Sequence, residues 1–368
     1  MPPKRIVLFG PTLGEGGADR VVLTLLERLD RARYAPTLVL VRREGAWIDR
    51  VPADVRVIGL ARRRLLYAVP GLARVLRAED PDVVLCLYGG ANVIAVAAHR
   101  LARSRARLVL SERNAVRRPG YEWRERFEVP LKRALYPLAD LVTAVSDGVA
   151  RDLRDDLRLR PDRVRTVYNP AIPPELPALA QAPLEHPWFA DPQIPPIVAV
   201  GRLVAQKDYP TMLRAFALVR AGVATRLVIL GTGPERPALE ALAAELGIAG
   251  DVAFVGFDHN PFRWMARARV LVQSSLAEGL PGTLIQSLAC GTPVVATDCN
   301  HGPREVVADG VNGFLVPVGD AHALADRAAR LLADGALRDR MSAAARASGQ
   351  PYTLAAALQN YERAIDGP

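Results

Sequence analysis

Two side chains in the C-terminal half of the chain, Arg202 and Lys207, could stabilise an anion, and a third, Glu278, would border the same place. Arg202 and Lys207 lie in I-V-A-V-G-R-L-V-A-Q-K-D-Y-P, just past the apolar run Ile197–Val200 and its tip, Gly201. A forked guanidinium and a point-charge ammonium are the side chains best suited to phosphate oxygens. Glu278 opens E-G-L-P-G-T-L-I-Q-S-L-A-C-G, where Gly279 and Gly282 flank Leu280-Pro281. The glycines allow close backbone approach, and Pro281 suits a first helical turn. From Thr283 the spacing predicts a short helix with Leu284, Leu288 and Ala289 turned inward, stopped by Gly291. Its N-terminus would offer free N–H groups and the positive end of a dipole. Gln286, about one turn in, would border whatever that end holds. A third place, D-C-N-H-G-P-R-E-V-V, follows the apolar strand Pro293–Thr297. Ligands of open parallel sheets sit outside the carboxyl ends of the strands, so the three places would converge there, on a set that suits a diphosphate. Taken alone, the Glu278 stretch also reads as an ordinary loop-to-helix junction.

The elements that must position these residues alternate between strand and helix. The pattern predicts strands at Ile197–Val200, Arg226–Leu230, Val252–Val255, Val270–Gln273 and Val294–Thr297, with turns at Gly231-Thr232-Gly233-Pro234 and Gly256-Phe257-Asp258. The N-terminal half repeats the alternation. Strands are expected at Lys4–Gly10, Thr37–Val41, Val55–Leu60, Asp82–Leu87, Arg107–Ser111 and Leu141–Val145. Such order implies parallel sheets with helices on both faces. After the first strand comes a glycine-rich loop, Pro11–Gly17, and a helix from Asp19; the backbone at Gly16 and Gly17 could approach a phosphate or sugar. True Gly-x-Gly-x-x-Gly spacing is absent. Ser111-Glu112-Arg113-Asn114 follows a strand and sits at the carboxyl edge of its sheet. Asp80-Pro81-Asp82 has an Asp-x-Asp spacing, but it enters a strand at the amino edge, away from ligand sites, so no metal role is assigned to it.

Composition bounds the rest. The 368 residues are half hydrophobic and 24% charged, as expected of a globular chain with sizeable cores. No run is long and apolar enough to suggest a membrane span, and the N-terminus does not read as a signal peptide. Cys86, Cys290 and Cys299 are far apart, without Cys-x-x-Cys spacing, which argues against a disulfide framework or zinc site and fits a reducing cytoplasm. The net charge of +9 is uneven: residues 1–170 carry 32 Lys+Arg against 20 Asp+Glu, leaving 16 against 19 for the remainder. No helix-turn-helix, RNP or zinc-finger signature accompanies the basic half, so no nucleic-acid partner is expected. Attraction to anionic lipid headgroups is one reading, and an arginine-rich composition with Lys4, Lys132 and Lys207 as its lysines is the other. Residues 104–133 are unusually basic, with Trp123, Phe127 and Leu131 at near-helical spacing; Arg62-Arg63-Arg64 forms another basic patch.

G-R-L-V-A-Q-K, E-G-L-P-G-T-L-I-Q, G-T-P-V-V-A-T-D and G-P-R-E-V-V-A-D-G-V-N-G-F-L-V-P together resemble the C-terminal half of retaining glycosyltransferases of family 4, and G-E-G-G-A-D-R-V resembles their N-terminal glycine loop. The resemblance covers essentially the whole chain. It implies a GT-B fold: two Rossmann-like parallel-sheet domains facing an interdomain cleft, with the C-terminal helix crossing back to the N-terminal domain. The boundaries are then an acceptor-side domain over 1–170 with 352–368 packed on it, a proline-rich linker over 171–196, and a nucleotide-sugar domain over 197–351. Nine prolines fall within 170–196, which supports the linker.

The implied activity is retaining, metal-independent transfer of a sugar from a nucleotide diphosphate donor, a UDP-sugar, to a glycan or lipid-linked saccharide in cell-surface polysaccharide or glycolipid synthesis. Arg202, Lys207 and Glu278 would be catalytic. Gly16, Gly17, Gly201, Gly231, Gly233, Phe257, Gly279, Leu280, Pro281, Gly282, Thr283 and Gln286 would bind the donor, and Ser111, Glu112, Arg113 and Asn114 would lie on the acceptor side. No cofactor and no metal are implied, and the place would be the cytoplasm with peripheral contact to the inner face of the membrane. Two departures from the family pattern stand out. The usual second glutamate is Gln286, and the histidine common near residues 111–114 is missing. The alternative is therefore a weak or inactive transferase-fold protein that acts as a binding or scaffold partner at the membrane.

Overall fold

The computed structural model describes residues 2–14, 16–117, 122–191, 194 and 196–367. Glu15 of the glycine loop and Arg118–Tyr121 of the basic stretch lie outside the described residues. The chain forms two compact units, Met1–Pro170 with Ala355–Pro368, and Ala171–Leu354.

Unit 1 holds seven parallel strands: β1 (Lys4–Gly10), β2 (Tyr34–Leu40), β3 (Arg56–Gly59), β4 (Val83–Cys86), β5 (Arg107–Glu112), β6 (Leu141–Ala144) and β7 (Val164–Thr166), in the order β3-β2-β1-β4-β5-β6-β7. Unit 2 holds six: β8 (Pro196–Val200), β9 (Arg226–Leu230), β10 (Val252–Gly256), β11 (Val270–Gln273), β12 (Val294–Thr297) and β13 (Gly313–Val316), in the order β10-β9-β8-β11-β12-β13. The physical reason is visible in the strands. Every residue of β4, β11 and β12 is buried, so both faces need covering, and parallel sheets flanked by helices provide that. In each unit the order reverses beside the first strand, between β1 and β4 and between β8 and β11. Those switch points open a crevice at the strands' carboxyl ends.

The sequence reading located all strands except β7 and β13, two of the four edge strands. β7 has three residues, none of them fully buried, and offers no apolar run to detect. Gly313–Val316 is a clear apolar run, but its approach through Asn312 lacks the length of helix that precedes most other strands.

The proline-rich stretch is a correction to the expected linker. It belongs to unit 2, and it contains two short helices, Leu176–Gln181 and Pro187–Ala190, each with proline in its first turn. Proline is tolerated there because the first N–H groups have no intrahelical acceptor. Leu184, Trp188 and Phe189 pack against Val198, Val228, Leu230 and Trp264 on one face of the sheet. Backbone oxygens of the stretch are held as well: Asn260 donates to Leu179 at 2.8 Å, and Arg263 donates to Pro183 at 2.9 Å.

The last helix, Leu354–Asp366, returns the chain to unit 1. Tyr361, Ala364 and Ile365 sit in the same core as Ile6, Leu8, Leu38 and Leu85. Lys4–Asp366 at 2.7 Å and Arg33–Glu362 at 2.6 Å fasten its outer side.

Candidate functional site

The loop after β8 carries Gly201 and Arg202, then a single turn, Ala205–Lys207. Asp208 adopts a left-handed conformation (φ 45°) and its carboxylate caps the following helix, Tyr209–Gly222, by accepting from Thr211 N. This loop is pinned to the end of β11. The Ser274 hydroxyl lies 2.8 Å from the carbonyl oxygens of both Lys207 and Asp208, and Gln206 exchanges bonds with Ala277 and Leu276 at 2.7 and 2.9 Å. Tyr209 reaches back to the Gly201 carbonyl at 3.0 Å.

That pinning brings Lys207 Nζ to 2.5 Å from Glu278 Oε1. The same oxygen accepts from Ser275 Oγ at 2.7 Å and from Gln273 Nε2 at 3.1 Å, and Gln273 is itself oriented by the Thr283 hydroxyl at 2.8 Å. Three donors converge on Oε1, whereas Oε2 has none among the described residues. The Lys207 side chain runs along Gly201, where an added Cβ would lie 3.5 Å from its Cε. Arg202 is exposed, and its side chain has no hydrogen-bond or ion-pair partner among the described residues. Sequence reasoning found the lysine and the glutamate but missed Gln273 and Ser275. A polar Gln-Ser-Ser run at the end of an otherwise apolar strand was the available signal.

The Gly282–Ala289 helix follows, with Pro281 as its N-cap and not within its first turn. Gly282 and Thr283 have no acceptors for their N–H groups among the described residues, so the anion-binding end foreseen for this helix is free. Its buried face is Leu284, Ile285, Ser287 and Leu288; Ala289 is only half-buried. The loop after β12 closes on the same place. Gly302 (φ 81°) lies against Pro281, where a Cβ would come within 2.6 Å of the ring, and Thr297 Oγ1 donates to Ser275 O at 2.6 Å. Buried Cys299 is nearby. Burial pushes its thiol up to about 12, with Glu278 adding to the rise and Lys207 opposing it.

The other donor residues foreseen in unit 2 have contacts of their own. Gly231 (φ 141°) and Gly233 press against the backbone of Gly201 and Leu203, where no side chain fits. Phe257, 45% exposed, follows Gly256 and meets His259 edge-on at 4.9 Å. Leu280 and Gly279 are buried. Gln286 donates to Ala171 O at 3.3 Å.

In unit 1 the four residues foreseen after β5 separate. Ser111 and Glu112 are buried, Arg113 is half-buried and Asn114 is exposed. Glu112 Oε2 accepts from Lys132 Nζ and from the Tyr136 hydroxyl, each at 2.8 Å. Asn92, wholly buried, donates to Tyr136 and to Ser111 O, each at 3.0 Å. Burial holds the Tyr136 phenol well above its ordinary range, and the Glu112 charge adds to that. In the glycine loop, Gly16 N–H is engaged by Asp19 Oδ2 at 2.9 Å, while Gly17 has open space. Asp80 and Asp82 face Arg5: Asp82 Oδ2 accepts from Arg5 N at 2.7 Å, and Asp80 pairs with its guanidinium at 3.3 Å. A cavity of 370 Å³ lies at this amino edge, lined by paired charges such as Arg31–Asp54 and Arg56–Glu79.

The sequence matches two family descriptions, "Glycosyltransferase Family 4" over residues 15–172 and "Glycosyl transferases group 1" over residues 188–348. A relative from Campylobacter jejuni, N-acetylgalactosamine-N,N'-diacetylbacillosaminyl-diphospho-undecaprenol 4-alpha-N-acetylgalactosaminyltransferase, is 30% identical over 91% of this chain and 92% of its own. The chain belongs to glycosyltransferase family 4. A second relative, the lipopolysaccharide core biosynthesis glycosyltransferase LpsD of Rhizobium meliloti, is 27% identical over 89% of this chain and 88% of its own. Among solved structures, Anabaena HepE in complex with UDP and glucose superposes with a TM-score of 0.82 at 20% identity, covering 99% of this chain and all of that one. WaaG, involved in lipopolysaccharide biosynthesis, superposes at 0.78 with 17% identity, covering 99% and 100%. These likenesses fix the fold as GT-B, two Rossmann-like units, and the family makes the protein a glycosyltransferase. Among the described residues no helix is long and apolar enough to cross a membrane.

Proposed function

We propose that this family 4 enzyme transfers a sugar, with retention of anomeric configuration, from a UDP-sugar to a lipid-linked saccharide in the synthesis of cell-surface glycans. The observation that carries the reading is Glu278: one carboxylate oxygen is saturated by three donors and the other is left open beside Lys207. Oε1 and its donors fix the carboxylate, so Oε2 is poised to accept a hydroxyl of the donor sugar. Lys207 uses one N–H on Glu278 and keeps two for phosphate oxygens. Arg202 and the amides of Gly282 and Thr283 complete the cradle. As the anomeric C–O bond breaks, negative charge grows on the diphosphate, and donors already fixed there lower the barrier without reorganising. The leaving phosphate oxygen takes the acceptor's proton, and the nucleophile enters on the same face. Gln286 and the backbone at Phe257 are proposed to hold ribose and base. The relatives named above for diphospho-undecaprenol and lipopolysaccharide chemistry support an acceptor of that class.

No metal is required by this scheme, because cations already line the cradle; activity is expected to survive excess EDTA. Peripheral membrane contact is part of the proposal. The helix Glu122–Leu135 is turned inside out: Glu125, Val129 and Lys132 face inward, while Trp123, Phe127 and Leu131 are exposed by 65%, 76% and 48%. Arg126 and Arg133 flank that apolar stripe, the composition of a helix that lies in an anionic lipid interface. Arg62–Arg64 are likewise exposed, beside Leu66 and Tyr67.

The test is a panel of nucleotide sugars offered with a lipid-linked saccharide, with UDP release and the anomeric configuration of the product measured by NMR. An α-linked product from an α-linked donor is expected. Inverted configuration overturns retention, and absence of release from every donor favours the scaffold reading that Gln286 keeps open.

A further inference from the structure

We infer that Gln273 is a positioning residue for transfer: with Thr283 it forms a relay that sets Glu278 against the helix start proposed to hold the donor's diphosphate. The inference rests on the transferase reading above, in which Glu278 meets the donor sugar. Gln273 ends β11 after Val270-Leu271-Val272, and all four residues are buried. An aliphatic residue there would continue the strand at no polar cost, whereas a buried amide is tolerated only when its hydrogen bonds are made. Both ends of this amide are engaged. Its Nε2 donates to Glu278 Oε1 at 3.1 Å, and its Oε1 accepts from the Thr283 hydroxyl at 2.8 Å. A carboxylate only accepts, so the amide nitrogen must face Glu278 and the amide oxygen must face Thr283.

Thr283 lies in the first turn of the Gly282–Ala289 helix, and its own N–H has no acceptor among the described residues. One residue thus addresses the diphosphate through its backbone and Glu278 through its side chain. Lys207 does not fix the carboxylate by itself. Its ammonium sits on a flexible four-carbon stem, and phosphate oxygens compete for its N–H groups once a donor is bound. Gln273 and Ser275 belong to the end of β11 and its continuation, and groups mounted on strands hold geometry more closely than groups on loops. Ser275 Oγ donates to the same Glu278 oxygen at 2.7 Å, and the Ser275 carbonyl is held by Thr297 Oγ1 at 2.6 Å. Gln273 is the member of this set that also reaches the helix start. Its loss frees Glu278 to turn relative to the diphosphate, a misplacement felt in the chemical step and not in the binding of the nucleotide.

The test uses the full chain, the preferred donor from the nucleotide-sugar panel and the free nucleoside diphosphate of that donor. Steady-state rates give kcat, and calorimetry gives the nucleotide affinity. Gln273→Met keeps the length of the side chain and removes both bonds; it is expected to lower kcat about tenfold or more while nucleotide affinity stays within about threefold. Thr283→Val keeps the backbone N–H and removes the hydroxyl. It is expected to lower kcat about threefold in the wild type and no further in Gln273→Met, because a relay acts as a unit. A folded Gln273→Met enzyme with kcat within about twofold of wild type overturns the inference. So does a double variant whose losses multiply, the behaviour of two independent structural contacts, and so does a loss confined to nucleotide affinity. Should Gln273→Met not fold by thermal melting, Thr283→Val decides at its half-buried position, where a wild-type kcat is equally fatal. A wild type that consumes no nucleotide sugar sinks the transferase reading and the relay together, whereas an active wild type matched by Gln273→Met sinks the relay alone.

Discussion

Two lysine–glutamate pairs sit at strand ends, one in each unit, and they differ in what surrounds them. In unit 1, Lys132–Glu112 spans 2.8 Å with side chains 12% and 3% exposed; in unit 2, Lys207–Glu278 spans 2.5 Å with 18% and 9%. Glu112 uses one oxygen for Lys132 and Tyr136 and rests the other over Gly89, so its carboxylate is enclosed. Glu278 crowds its donors onto one oxygen and leaves the other without a donor among the described residues. The same pair of residue types thus fastens the Glu122–Leu135 helix in one unit and, in the function proposed above, serves the donor site in the other. In a chain with 48 Lys+Arg, Lys4, Lys132 and Lys207 all form ion pairs. A compact ammonium suits a pocket where several donors share one oxygen, which a planar guanidinium fills poorly.

The contrast breaks most visibly in rates. Arg202→Ala and Lys207→Ala should each lower kcat/KM by roughly 10²-fold or more, about 3 kcal/mol of lost charge stabilisation. Steady-state kinetics with the preferred donor measures this, and near-wild-type transfer by both variants would dissolve the cradle. Lys132→Met should do the reverse. Loss of one partner of an enclosed pair costs about 3 kcal/mol of stability, a fall in melting temperature of roughly 6–12 °C for a unit of this size, with kcat/KM of the folded enzyme changed less than about threefold. A variant that keeps its melting temperature and loses activity would make the two pairs equivalent.

Smaller effects sharpen the picture within unit 2. Glu278→Gln should reduce kcat, because it alters the group nearest the reacting sugar. Gln286→Leu should act on nucleotide affinity, since the ribose is unchanged during transfer. Gln286→Glu should keep activity within about tenfold, or ~1.4 kcal/mol, because either side chain bonds a diol. Calorimetry with UDP alongside initial rates separates these, and tight UDP binding by Gln286→Leu would remove Gln286 from the ribose site. The smallest effect lies at Asp258. Burial raises its pKa, but Trp264, Asn260 and Arg263 donate to it and the balance holds the carboxyl below its ordinary range. Its contribution is therefore present above the unfolded carboxylate pKa and is lost as pH falls through the folded value. Urea midpoints of Asp258→Asn should be lower than wild type at pH 7 and converge with it in acid; a constant gap would deny the linkage.

Much of this was legible in the sequence because the signals are local. Ile197–Val200 with Gly201 and the E-G-L-P-G-T run carry strand, turn and helix start within a few residues, and the structure places Arg202, Lys207 and Glu278 at one switch point. What escaped is long-range. Nothing local to Lys132 says that it reaches Glu112, twenty residues earlier, and nothing local to Gln273 and Ser275 says that they hold Glu278. The proline-rich stretch misled for a related reason. Proline density predicts a free connection, whereas Leu184, Trp188 and Phe189 find an apolar face built from strands far along the chain. Gly16 shows a subtler limit, since its amide was free by motif and is taken by Asp19.

The return of Leu354–Asp366 to unit 1 makes unit 2 an insertion within unit 1. During synthesis, unit 2 has its full sequence as soon as residue 354 clears the ribosome, ahead of the unit that began first. Until the final turn supplies Tyr361, Ala364 and Ile365, the β1–β2 side of unit 1 leaves Ile6, Leu8 and Leu38 without their cover. The nascent chain thus carries a finished downstream unit and a sticky upstream one, the state in which aggregation competes with folding. A stop codon a dozen residues early would therefore damage the first-made half of the protein, and a circular permutant joining residues 355–368 ahead of residue 4 would let each unit mature in the order it is made.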